Sequence, residues 1–273
     1  MNIRLSKVFE RCKREGHAAL VGYLTAGDPD IATSRELLHA LADQTDILEI
    51  GMPFSDPMAD GPVIQAASER ALEAGVHIGD VFSLTRSVRE THPDLGIVLM
   101  GYANVPYAMG FEMFAENAQD AGADAVLIVD IPPEEGHICD AALKKHNLDR
   151  ILLLSPTSTD ERIRLASENG SGFIYYVSLT GITGADMGDI NLIRNKVTHI
   201  QSMSDMPVCV GFGVKTPEQA TQVAQFADGV VVGSHFVSRI SEAKDNDAIL
   251  ATLIDSASQM RKAVTSVSTA ATA

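Results

Sequence analysis

The stretch LEIGMPFSDPMADG, residues 48–61, sets Glu49 between Leu48 and Ile50 and then places Asp56 and Asp60 in a loop rich in proline and glycine. A strand alternates its side chains, so if Leu48 and Ile50 face one side Glu49 faces the other, which in a closed sheet is the interior. Burial disfavours the charged carboxylate. Each pKa unit is worth about 1.4 kcal/mol, so a rise of roughly two costs about 3 kcal/mol. A purely structural glutamate needs a buried cation, and no Lys or Arg lies at a neighbouring strand end. Glu49 therefore reads as a functional residue and not a structural one. Asp60 poses a similar question. If Pro62 takes the first helical position, Gly61 is the cap and Asp60 stands just outside, so capping does not fully explain it. Asp56, between Ser55 and Pro57, is as suited to shaping the loop as to chemistry.

A second group suits an anion. The segments SLTGITGAD (178–186), GFGVKTPE (211–218) and GSHF (233–236) are dominated by glycine and small hydroxyls. Glycine lets backbone N–H groups approach an anion closely, and a helix start adds about half a positive charge, so phosphate can be held without lysine. Gly184, Gly213, Gly233 and Ser234 are the candidates. Any one glycine is explained as a turn; three such segments converging after the late strands favour phosphate. Other chemistries lack their signatures. The eight histidines show no H-E-x-x-H or paired spacing, so no metal is expected. G-x-S-x-G, G-x-x-x-x-G-K-[ST] and a strand lysine suited to a Schiff base are missing as well. Acid–base chemistry is what remains.

Eight short apolar runs supply the frame: AALVGYLTAG, ILEIG, GIVLMGY, AVLIVD, RILLLSP, FIYYVS, PVCVGFG and GVVVGS. Helix-like stretches separate them, stopped by Gly75, Gly122 and Gly170 or started by Thr216, Pro217 and Glu218. Runs apolar on both faces suit a parallel sheet covered by helices, and eight strand–helix units predict a single (β/α)₈ TIM barrel. The competing doubly wound sheet is disfavoured: no G-x-G-x-x-G follows the first strand and no linker halves the chain. Leu5, Val8, Phe9 and Cys12 have helical spacing and predict an N-terminal amphipathic helix packed on the body. The expected domain is 1–262, with 263–273 a disordered tail.

A formal charge of −15 argues against nucleic acid or an anionic membrane as partner. No apolar run approaches the roughly 18 to 20 residues of a membrane span. Cys12, Cys139 and Cys209 are odd in number and widely spaced, reading as thiols of a cytoplasmic protein.

The run LEIGMPFSDPMADGP closely resembles the signature of the tryptophan synthase alpha subunit family, and GYLTAGDP, GYANVPY, DIPPEE, SLTGITGAD and GFGVKTPEQ continue the resemblance in order and spacing. It implies a (β/α)₈ barrel that cleaves indole-3-glycerol phosphate to indole and glyceraldehyde 3-phosphate. It also implies Glu49 as the proton donor and acceptor, and Asp60 as the acceptor of the indole N–H. Tyr23, Met100, Tyr102 and Tyr175 would line the indole pocket and Phe212 and Thr183 lie near the substrate, with Gly184, Gly213, Gly233 and Ser234 on the phosphate. No cofactor is implied in this chain; pyridoxal phosphate belongs to a beta partner, in an assembly of two alpha and two beta chains. Pro53, Asp56, Asn104 and Pro132 match the loops facing that partner. Two other functions compete: an allosteric activator of the beta subunit with feeble turnover of its own, and a barrel sugar-phosphate isomerase using the same phosphate seat.

Overall fold

In the computed structural model, which describes residues 2–177, 189–211, 213–242 and 245–267, the eight apolar runs become one parallel sheet. Its strands are β1 (Ala19–Thr25), β2 (Ile47–Gly51), β3 (Gly96–Gly101), β4 (Ala125–Ile128), β5 (Asp149–Arg150), β6 (Leu152–Leu154), β7 (Ile174–Val177), β8 (Val208–Gly211) and β9 (Gly229–Val232). The order β5-β4-β3-β2-β1-β9-β8-β7-β6 begins and ends on one continuous stretch of chain. Asp149–Arg150 pairs with β4 and Leu152–Leu154 with β7, so β5 and β6 are halves of a fifth barrel strand and the sheet closes through Ile151. The run RILLLSP is split because, in a staggered barrel, its early part meets one neighbour and its later part the other. Most strands are buried along their whole length, which is why they read as continuous apolar runs.

Helices follow the strands as the punctuation indicates. Gly75 and Gly122 take the left-handed conformation, φ 80° and 90°, just past helices Pro62–Glu73 and Phe111–Asp120. Thr216 caps helix Pro217–Ala224 in a reciprocal box with Gln219. Among the described residues no helix is long and apolar enough to cross a membrane.

The N-terminal helix Ile3–Glu15 buries Leu5, Val8, Phe9 and Cys12 as expected. It plugs the barrel's N-terminal mouth: a Cβ at Gly96 or Gly172 would meet Leu5, and the Phe9 and Phe173 rings are 5.9 Å apart edge-to-face. A set of aspartates stitches the strand starts there. Asp46 accepts from Leu20 N–H (2.9 Å), Arg11 (2.7 Å) and Arg261. Asp124 accepts from Ile97 N–H (2.9 Å), Arg4 (2.8 Å) and Arg89 (2.7 Å), and Asp228 from Val208 N–H (2.8 Å). The last helix runs past the expected boundary at 262, to Thr265. Ala263 and Val264 are buried, continuing the stripe of Leu253, Ala257 and Met260, so residues 263–265 belong to the packed body and not to a tail.

Candidate active site

Parallel register places Glu49 beside Tyr23 of β1 and Val98 of β3. The side chain points into the barrel at 1% exposure, and its Oε1 has no hydrogen-bond partner. Burial, with the nearby Asp60 charge adding to it, pushes the Glu49 carboxyl up to about 8. Asp60 lies on the loop after β2, 5% exposed, where burial pushes it up to about 6 against the pull of a hydrogen bond from Tyr102. That bond, from the Tyr102 hydroxyl to Asp60 Oδ2, is 3.0 Å, and the same hydroxyl accepts from Ala59 N–H at 3.0 Å. One carboxyl is thus kept as the acid at neutral pH while the other is mostly ionised.

Of the residues singled out in the sequence, Tyr23, Glu49, Asp60, Met100, Tyr175, Gly213, Gly233 and Ser234 line a single cavity at the C-terminal ends of the strands. Tyr102 stands one step back from it, tilted against Phe54 with ring centroids 5.6 Å apart, and reaches the cavity through its hydrogen bond to Asp60. Thr183, Gly184 and Phe212 lie outside the described residues. Ile64, Val214 and Val231 complete the apolar wall and were not singled out, because nothing distinguishes them from core aliphatics in the sequence. Gly61 caps helix Pro62–Glu73 with Pro62 at its first position, leaving Asp60 free of the capping role. Gln65 Nε2 holds the Asp60 carbonyl at 2.7 Å, and Arg70 of the same helix grips Asp28 through two bonds of 2.7 and 2.8 Å. The loop carrying Asp60 is therefore anchored from behind.

Two glycines missed by the sequence reading make room for the tyrosines. A Cβ at Gly51 would land on the Tyr23 hydroxyl, and one at Gly211 on that of Tyr175. Both positions sit two residues along from a strand neighbour of the tyrosine, where the ring leans over the next inward position. Gly213 has φ 94°, a conformation that by itself calls for glycine, whereas at Gly233 a Cβ would come no nearer than 3.5 Å to Tyr23. Gly233 is the cleaner probe of an anion seat. On helix Ser234–Glu242, Phe236 N–H and Val237 N–H turn back to Gly233 O at 2.8 and 3.1 Å, and the first two amides have no acceptor within the helix.

The profile of the tryptophan synthase alpha chain family matches residues 9–265. The chain belongs to this family. The tryptophan synthase alpha chain of Marinobacter nauticus is 45% identical over 266 residues, 97% of this chain and 98% of that one. The alpha chain of Burkholderia thailandensis is 47% identical over 246 residues, 90% of this chain and 91% of that one. Among solved structures, tryptophan synthase subunit alpha from Legionella pneumophila superposes with a TM-score of 0.90 at 40% identity, covering 98% of this chain and all of that one. The TIM-barrel fold read from the apolar runs and the alpha-chain resemblance read from the motifs thus stand on nearly the whole chain.

Within this alpha-chain frame the loops after β2, β3 and β4 form one end of the barrel. Asp56 and Asn104 are exposed there, and Pro53 and Pro132 half-buried. Met58 (78% exposed) on the loop after β2 and Tyr107 (74%) on the short helix Asn104–Met109 after β3 add an apolar content that the sequence reading passed over. At the opposite end Cys12, His17 and Asp46 bring possible metal-ligand atoms within 4.8 Å of one another. The Asp46 carboxylate is already taken by Leu20, Arg11 and Arg261, and burial pushes the Cys12 thiol up to about 12, which opposes the thiolate a metal needs. This trio serves the plug of the barrel.

Proposed function

We propose that this chain cleaves indole-3-glycerol phosphate to indole and glyceraldehyde 3-phosphate as the alpha subunit of tryptophan synthase. The observation that carries the reading is the pair of carboxyls on one cavity, Glu49 with an unpaired Oε1 and raised by burial to about 8, Asp60 raised by burial to about 6 against the hydrogen bond from Tyr102. Glu49 as the acid gives its proton to indole C3, and positive charge spreads onto the ring nitrogen. Asp60 as carboxylate accepts a hydrogen bond from that N–H and stabilises the charge. The Glu49 carboxylate then takes the side-chain hydroxyl proton. The bond from C3 to the hydroxyl-bearing carbon breaks, its electron pair returns to the ring, and the aldehyde leaves with Glu49 protonated again. Tyr23, Met100 and Tyr175 supply walls for the indole, and Gly213, Gly233 and Ser234 the phosphate seat. Thr183, Gly184 and Phe212 are assigned to the substrate by motif position.

The chain needs no cofactor for this chemistry; pyridoxal phosphate belongs to the beta subunit, the partner that receives the indole. Pro53, Asp56, Asn104 and Pro132, with exposed Met58 and Tyr107 beside them, are the surface assigned to that partner in an assembly of two alpha and two beta chains. Three buried free cysteines fit a cytoplasmic protein. Release of indole from indole-3-glycerol phosphate by the isolated chain tests the reading. Turnover that rises on adding the beta subunit is expected; stimulation of the beta subunit by an alpha chain that itself releases no indole would replace this reading with that of a pure activator.

A further inference from the structure

The start of helix Ser234–Glu242 carries Ser234, which lines the cavity, and its first two amides, for which the helix itself offers no acceptor. An anion seat made of amides works only if those amides are held in place before the ligand arrives. The next side chain, His235, points away from the cavity lining, to the last helix. Its Nε2 lies 2.6 Å from Ser256 Oγ, and its ring packs edge-on against Phe236 with centroids 5.7 Å apart. Ser256 is buried on helix Asn246–Thr265, between Leu253 and Met260 of the stripe that faces the body. Burial, with Arg239 nearby, pushes His235 down to about 4, so the ring is neutral at pH 7 and brings no charge to the phosphate. Its contribution is geometric.

Resting on the phosphate seat assigned above, we propose that the His235–Ser256 hydrogen bond is a positioning contact for the phosphate end of the substrate, fixing the first turn of helix Ser234–Glu242 against the last helix. Ser256 touches no reacting atom and acts through His235.

The test compares Ser256→Ala, Ser256→Thr, His235→Gln and Gly233→Ala in the full chain. For Ser256→Ala a KM for indole-3-glycerol phosphate raised roughly three- to tenfold is expected, the worth of one neutral hydrogen bond, with kcat within about twofold. Competitive inhibition by inorganic phosphate should weaken by the same factor, while indole, which has no phosphate, binds as before. Ser256→Thr keeps the hydroxyl and should restore the KM, and His235→Gln should reproduce the Ser256→Ala pattern at least in part. Unchanged phosphate inhibition in Ser256→Ala alongside a lowered Tm would overturn the proposal, reducing the bond to packing. Equal weakening of phosphate and indole would overturn it too, as general loosening. Gly233→Ala separates the levels: if it weakens phosphate while Ser256→Ala does not, the positioning role alone fails. If neither variant affects phosphate inhibition, the phosphate seat itself is misplaced.

Discussion

Asp46 and Glu49 are three residues apart on one run of chain, and both are sealed from water at 0% and 1% exposure. Asp46 stands before β2 at the plugged end of the barrel, Glu49 within β2 toward the open end. Burial pushes both carboxyls up. At Asp46 the hydrogen bonds and charge of Arg261, with Leu20 N–H and Arg11, outweigh burial and hold the group below its ordinary range. At Glu49 nothing opposes burial, the Asp60 charge adds to it, and the carboxyl rises to about 8. The same side-chain chemistry in equal seclusion becomes a fixed anion at one end and a proton carrier at the other. Placement of arginine decides which, in keeping with a barrel whose bottom serves stability and whose top serves catalysis.

The comparison is broken most directly at Glu49. Glu49→Gln should lower kcat by about a thousandfold or more, since acid–base assistance contributes roughly 10²–10⁴ and this residue serves both proton steps. Its Tm at pH 8 should equal or exceed that of the parent, because a buried group with an unpaired Oε1 has been made neutral. Turnover within roughly tenfold of wild type would end the assignment of Glu49 as acid and base. Next in size is Asp46→Asn, which leaves Arg11 and Arg261 without their counter-charge. Denaturant unfolding should show a loss of about 3–5 kcal/mol with kcat per folded molecule unchanged.

The pH dependence sharpens the contrast. Activity needs Glu49 protonated and Asp60 ionised, so kcat/KM should rise through about 6 and fall through about 8. Stability runs by the folded-state shift. The raised Glu49 binds its proton more tightly folded than unfolded, so its contribution is full below its ordinary 4.5 and is lost as pH rises through about 8. The lowered Asp46 does the reverse: its contribution is present above its ordinary 3.8 and is lost as pH falls through the lowered value. Thermal unfolding of parent and Glu49→Gln should therefore diverge between about 4.5 and about 8, in favour of the variant. The smallest effect is expected from Tyr102→Phe, which removes a 3.0 Å bond to Asp60. The low-pH limb of kcat/KM should move upward and activity at pH 7 fall about tenfold, the scale of one hydrogen bond to a charged group.

The chemistry at the open end was legible because it violates local expectation. A glutamate amid aliphatics and an aspartate that caps nothing are visible in 14 residues of sequence. The barrel was legible for a related reason: parallel strands buried on both faces leave uninterrupted apolar runs. What stayed hidden depends on partners remote in the chain. Arg261 is 215 residues from Asp46 and Arg4 is 120 from Asp124, so neither aspartate announces itself before folding. Tyr102 was assigned to the indole wall because its motif position carries no record of the Asp60 carboxylate 42 residues earlier. Gly51 and Gly211 went unremarked, since only the lean of Tyr23 and Tyr175 gives them a steric task.

Asp46 also binds two helices far apart in the chain into one knot of charge, with Arg11 from Ile3–Glu15 and Arg261 from Asn246–Thr265 meeting on the same carboxylate. For a chain emerging from the ribosome this sets a schedule. The first helix and β2 are made early, yet Asp46 stays short of one of its two cations until residue 261 has left the exit tunnel. A nascent chain stalled before helix Asn246–Thr265 would hold its strands without the clasp that joins that helix to the first.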